Sequence, residues 1–160
     1  MSEKIEALKA FANAAFGRFD MSTKDLREAE LEWRPDEEAN NIRWILQHLS
    51  QQWNVGFQRT FKGDNGYKPA GWPDDYVGGK STTHAALMAD LAKGRAGVIE
   101  GLGKLKPADL DAEVQSPSGP VKRYDRLIRQ ISEIYHHEGQ IAYIRGVVAR
   151  KAKKNPRFLA

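Results

Sequence analysis

The chain is 160 residues long, with 41% hydrophobic and 29% charged residues and a formal net charge of +4. This length favours one core over two, and the composition is that of a folded globular protein, not a disordered or fibrous one. No apolar run approaches the ~18 residues of a membrane-spanning helix, and the absence of cysteine excludes disulfides, thiolate metal ligands and a cysteine nucleophile.

The opening MSEKIEALKAF carries Glu3 and Glu6 and turns amphipathic at once, unlike a signal peptide. A cytoplasmic protein with no membrane partner is expected. Helical periodicity then recurs in four segments, and no stretch alternates like a strand. The first segment runs from about Ser2 to Asp20, with Ile5, Leu8, Phe11, Ala12, Ala15 and Phe19 along one stripe. The second runs from about Asp36 to Phe61, entered through Pro35 and the acidic turn Asp36, Glu37 and Glu38. Its stripe is Ile42, Ile45, Leu49 and Val55, flanked by Trp44 and Trp53. Residues 62–81, rich in Gly, Pro and Asp, form a connection long enough to cross over the domain or to help build a site. Trp72 and Tyr76 within it could cover one end of a cavity or simply cap the core.

The third segment starts after Ser81, Thr82 and Thr83 and carries Leu87, Leu91, Val98, Leu102 and Leu105 before Pro107. Gly94, Gly97, Gly101 and Gly103 weaken it as an isolated helix, so packing must hold it. Residues 106–121 read as a second loop. The fourth segment, about Lys122 to Lys153, shows Leu127, Ile131, Ile134, Ile141, Ile144 and Val148. The expected architecture is all-α: residues 1–160 as a single domain, a four-helix bundle with a long crossover loop between helices 2 and 3.

Net charge is unevenly spread. Residues 139–160 hold Arg145, Arg150, Lys151, Lys153, Lys154 and Arg157 and no acidic residue, leaving 19 of the 25 basic residues against 21 acidic ones in residues 1–138. A basic tail of this kind can bind nucleic acid, but no aromatic residue interleaves with the charges as a base-stacking surface would require. A solvated helix end that offsets the helix dipole is the simpler reading, and no nucleic-acid partner is expected.

The chain has four histidines: His48, His84, His136 and His137. His84 falls at the start of the third helix, where a surface role suffices. His48 lies three residues after Ile45 and one before Leu49, on their buried side. A buried imidazole must find a partner for its ring nitrogens. In the fourth helix Glu133 and His137 are four apart, hence stacked on one face. That face continues through Gln130, Ile141, Ile144 and Val148, so it points inward. A buried carboxylate–imidazole hydrogen bond would explain the pair alone. His48 from a second helix strengthens a metal reading, because three polar groups on apolar faces need a common reason to be there. His136 is rotated about 100° from His137 and should face a neighbouring helix or solvent. Two imidazoles and a carboxylate leave open positions on Zn²⁺ and can form a facial triad on Fe²⁺ or Mn²⁺. There is no nucleophile elbow, phosphate loop or dinucleotide fingerprint.

At WILQHL in the second helix, HEGQIAYIR in the fourth, and HAALMADLAKGRAGVIEGLGKLKPADLDAEV in between, the sequence resembles the DinB/YfiT-like family of metal-dependent bundle proteins. That family carries one histidine in its second helix and a His-x-x-x-His pair in its fourth, just before a Gly-Gln step. Anchoring on Gly139 and Gln140 implies metal ligands His48, Glu133 and His137, with Glu133 standing where many members carry histidine. The resemblance also implies a divalent cation, zinc or nickel first, with iron or manganese as alternatives. The activity implied is a metal-dependent enzyme acting on a small-molecule substrate, either a transferase working with a low-molecular-weight thiol or a hydrolase. A second copy of the chain could complete a homodimer. The alternative is a non-catalytic helical binding or assembly module with a vestigial or absent metal site.

Overall fold

A computed structural model describes residues 2–80 and 82–159. Ser81, assigned from the sequence to the entry of the third helix, lies outside them. The chain is predominantly helical, as its periodicity predicts. Helix α1 (Glu3–Thr23) buries Ile5, Leu8, Ala12, Ala15, Phe16 and Phe19. It outruns the expected end at Asp20 because the hydroxyl of Thr23 donates to the carbonyl of Phe19 at 2.8 Å and closes a further turn. A single turn, α2 (Glu28–Leu31), follows, in which the Glu30 carboxylate accepts the Arg27 N–H at 2.9 Å.

The second long helix does not begin at Asp36. Residues 36–39 close a turn instead: the Asp36 side chain accepts from the Glu38 N–H and its carbonyl from the Ala39 N–H, both at 3.1 Å. Helix α3 (Ile42–Gln51) starts where the Asn41 side chain caps the Trp44 N–H at 2.9 Å. A short polar side chain bonding its own downstream backbone ends one local structure and opens another. A wider π turn (Gln52–Gly56) interrupts the helix before α4 (Phe57–Lys62), which stops at Gly63 with φ +66°. The π turn rotates Trp53 into the core, edge-on to Phe16 and Phe19 at 5.0 and 5.1 Å.

Helix α5 (His84–Lys104) is capped by Thr83, whose hydroxyl accepts the Ala86 N–H at 3.2 Å. A short 3₁₀ turn (Pro107–Asp111) leads into an antiparallel hairpin, β1 (Glu113–Ser116) and β2 (Gly119–Lys122), with Val114 opposite Val121. The sequence reading expected only a loop here. Each strand is four residues long and contains one buried side chain at most, too little for a period of two to register. Helix α6 (Arg123–Lys154) matches its predicted span within one residue at each end.

The buried apolar residues of α1, α3, α4, α5 and α6 form one contiguous cluster. Along α1 and α6 the contacts run in the same order, from Lys4 over the Tyr124 ring, through Phe11 stacked on Tyr135, to Ser22 beside Arg145. The same holds for α3–α4 against α5. The Arg43 guanidinium bonds the Thr82 carbonyl at 2.6 Å and the Asn54 amide bonds the Asp90 carbonyl at 2.9 Å, with Gln58 facing Gly97 beyond them. The connection between α4 and α5 lies against this pair. Tyr76 is buried, bonding Ser50 Oγ at 3.0 Å and Asp90 Oδ2 at 2.8 Å, while Trp72 packs on it at 4.3 Å and donates to Gln51. Tyr76 therefore caps the core, and Trp72 reaches the polar side of α3.

Gly94, Gly97 and Gly101 of α5 are explained by this contact, and Gly103 has no close neighbour. A Cβ on Gly94 would lie 2.7 Å from the Trp53 Cβ and 2.6 Å from Asn54 Nδ2. Gly94→Ala should therefore lower stability by about 1–3 kcal/mol, even though alanine favours an isolated helix by about 1 kcal/mol. Chemical denaturation measures the balance, and a stabilised variant would refute the close approach. The C-terminal end is less free than its charge suggests. Phe158 packs edge-on against Trp33 at 6.0 Å, and Lys151 Nζ lies 6.0 Å from the Trp33 ring and 5.7 Å from the Phe158 ring. Among the described residues no helix is long and apolar enough to cross a membrane.

Candidate metal centre

His48 sits in the middle of α3, half-buried, with its ring stacked on Trp44 one turn earlier at 5.3 Å and an interplanar angle of 5°. That stack, an i,i+4 pair on one helix face, limits how the imidazole can turn. Facing it from α6 is His137, whose ring centroid is 4.6 Å away. His137 is buried at 6% exposure, as its place on the Ile134–Ile141–Ile144 stripe requires. Glu133, one turn before it, is not buried with the stripe. Its side chain is 53% exposed and reaches back so that Oε2 lies 3.4 Å from His137 Nε2. The expectation of a fully inward Glu133 is corrected here: the residue stands at the edge of the apolar stripe, and only its carboxylate turns toward the imidazoles. One ligand atom from each of His48, Glu133 and His137 lies within 4.8 Å of the others. This group could hold a metal ion.

Gln140, on the next turn of α6, decides which nitrogen of His137 is available. Its amide oxygen lies 2.9 Å from His137 Nδ1, and its amide nitrogen lies 3.2 Å from His136 Nε2. An amide oxygen only accepts, so His137 Nδ1 donates to it, and in the neutral ring Nε2 keeps its lone pair on the side of Glu133. Burial pushes both His48 and His137 below the ordinary histidine range. For His48 the neighbouring His137 adds to this and the Glu133 charge opposes it; for His137 the Gln140 bond and Glu133 oppose it. Neutral rings at neutral pH are what a metal requires of imidazole. A lone-pair nitrogen and a carboxylate oxygen that face each other repel unless a proton or a metal cation lies between them.

The remaining histidines fall outside the trio. His136 is exposed, as expected from its rotation. His84 is not the simple surface residue anticipated, since its Nε2 is buried and has no hydrogen-bond partner among the described residues. Sequence reasoning missed Gln140 and Trp44. Both were available as i,i+3 and i,i+4 neighbours of a histidine, the spacing at which one helical side chain orients another.

The sequence profile of the DinB superfamily matches residues 13–141, a span containing all three residues of the trio. The chain belongs to the DinB superfamily. It is similar to a conserved protein of Enterococcus faecalis of solved crystal structure, with 19% identity, a TM-score of 0.63, and coverage of 91% of this chain and 96% of that one. At that identity the likeness shows a shared fold alone. No curated protein matches the chain.

Proposed function

We propose that this DinB superfamily protein is a divalent-metal-dependent enzyme that holds one ion through His48, Glu133 and His137. Its substrate is a small molecule, and its reaction is either transfer to or from a low-molecular-weight thiol or hydrolysis. The observation that carries this is the convergence of one ligand atom each from His48, Glu133 and His137 within 4.8 Å, with His137 Nε2 facing a Glu133 carboxylate oxygen at 3.4 Å. The scaffold in this reading is a single-domain four-helix bundle of α1, α3–α4, α5 and α6, with residues 63–83 crossing over. The same-order contacts of α3–α4 with α5 support it, since two parallel neighbours need a long connection. The lack of cysteine fits the reducing cytoplasm.

Two imidazoles and one carboxylate suit zinc or nickel, and the same donors suit iron and manganese. When bound, such an ion supplies Lewis acidity that lowers the pKa of a thiol or water at its remaining positions. The protein's own residues do the positioning. Trp44 holds the His48 ring, Gln140 fixes the His137 tautomer, and Glu133 adds a negative charge on the side open to solvent. Orienting partners of this kind typically contribute 10–100-fold to metal affinity, so Gln140→Ala should weaken binding within that range.

The 3.4 Å contact also fits an ion pair with a protonated His137, which favours a second reading as a non-catalytic binding or assembly module. Metal analysis of protein purified without a nickel column separates the two, a stoichiometric ion supporting the enzyme. Titrations with Zn²⁺, Ni²⁺ and Mn²⁺ examine Glu133 itself. Glu133→His should stay within about tenfold of the wild-type affinity while changing activity, because a neutral ligand leaves the ion more positive. Glu133→Ala should bind at least about tenfold more weakly. Three indistinguishable weak isotherms would sink the metal reading.

A further inference from the structure

Beside the trio, between α3–α4 and α6, lies a cavity of about 340 Å³. It begins one turn beyond His48, at Gln51 and Gln52, and extends along α6 to Arg126, two turns before Glu133. At 1.5 Å per residue these points lie roughly 6 and 10 Å along the helices from the candidate ligands. The tip of the hairpin, with Gln115, forms the far wall. The charged side chains lining it are Arg59 and Arg126, and no acidic side chain lines it among the described residues.

We propose that this cavity is the anion-binding end of the substrate site, receiving a carboxylate or phosphate group between Arg59 and Arg126. The inference deepens the metal-dependent reading by naming the substrate class: a small molecule carrying an anionic oxygen group about 10 Å from its reacting atom. Its ground is the state of the polar groups there. The other half-buried arginines are engaged. Arg43 pairs with Glu32, Arg95 with Asp20, Arg145 with Glu30, Arg123 binds two backbone carbonyls, and Arg59 Nε donates to the Tyr67 carbonyl at 2.8 Å. Arg126 alone has no hydrogen bond or ion pair among the described residues. Burial and the neighbouring Arg129 work against its charge while Glu133 supports it, and the charge persists because guanidinium does not deprotonate in proteins. A half-buried guanidinium without such a partner among the described residues keeps its donors free for an anion.

An independent feature points the same way. Gln130, one turn after Arg126, is 3% exposed, yet neither its amide nitrogen nor its amide oxygen has a partner among the described residues. Its nitrogen lies behind Gly56, which lines the cavity; a Cβ there would stand 3.5 Å from that nitrogen and 2.5 Å from Gln52 Oε1. A guanidinium matches an oxyanion in geometry and charge.

Calorimetry on the full chain tests this with succinate, inorganic phosphate and uncharged succinamide, combined with ¹H–¹⁵N spectra of the arginine Nε–H groups. The chelated protein should bind succinate or phosphate with a shift of the Arg126 resonance and should ignore succinamide. Preference between the two anions identifies the group as carboxylate or phosphate. Arg126→Gln and Arg59→Gln should each weaken binding at least tenfold, Arg126→Lys less, and the exposed Arg129→Gln under twofold. Absence of anion binding, or equal loss in Arg129→Gln, would overturn the proposal. Because the titration uses chelated protein, anion binding without a stoichiometric ion would remove the metal reading and leave this one standing, and the reverse outcome would do the opposite.

Discussion

His48→Ala is expected to abolish stoichiometric metal binding while leaving the protein folded. The trio has only three protein donors, two of them on α6, and His48 alone brings the second helix to the ion. Without it, Glu133 and His137 remain as an i,i+4 pair with one exposed member. Such a pair should bind Zn²⁺ at least 100-fold more weakly, which corresponds to about 2.7 kcal/mol or more. The fold should persist because the apolar cluster from α1, α3, α4, α5 and α6 supplies the burial that drives folding, and His48 lies at its edge. Elemental analysis and circular dichroism on the variant and on chelated wild type check both halves. A variant that keeps a full equivalent of metal would show that the ion sits elsewhere. Loss of helix on chelation alone would recast the metal as structural.

The positions of the trio were legible because two signals coincide: histidines at helical spacing to apolar residues, and a Glu–His pair four apart. The exposure of Glu133 was not legible, since a residue at the edge of a stripe reads the same whether its tip turns inward or outward. The long helices α1, α5 and α6 followed from period and capping residues. The start of α3 did not, because Pro35 followed by acidic residues is a good helix entry that Asn41 pre-empts with its own cap. The π turn at Gln52–Gly56 has no compositional mark at all. It depends on Trp53 fitting between Phe16 and Phe19, a contact across 34 and more residues of sequence. The hairpin was hidden by its brevity, and with it the far wall of the arginine-lined cavity. Unpaired arginines and orphaned amides are properties of a packed structure. In the sequence Arg126 differs in no way from Arg129.

Arg145→Ala should be the most destabilising substitution of a charged residue, on the order of 3 kcal/mol. Its guanidinium, from the last third of α6, donates to the carbonyls of Ser22 at 2.9 Å and Lys24 at 2.8 Å and lies 3.3 Å from the Glu30 carboxylate. One side chain thus fastens the end of α1, the turn after it and α2 to α6. The Glu30 side chain is only 6% exposed, so removing its partner strands a buried negative charge. That loss is larger than the few tenths expected from truncating the exposed Arg150, which serves as the control. The sign of the pH dependence follows from Glu30. Burial raises its pKa, but the Arg27 N–H and the Arg145 guanidinium outweigh burial and hold it below the ordinary value of 4.5. A depressed folded-state pKa means the unfolded chain takes up protons first as pH falls. The contribution of Glu30 is therefore complete above about pH 4.5 and fades as the pH drops through the folded-state value. In Arg145→Ala this source of acid sensitivity should shrink, so the stability gap between wild type and variant narrows in acid. Urea denaturation of both proteins at pH 7 and pH 4 gives the comparison. A gap below about 1 kcal/mol at pH 7, or one that widens in acid, would show that Arg145 does not clamp the α1–α2 turn as its contacts indicate.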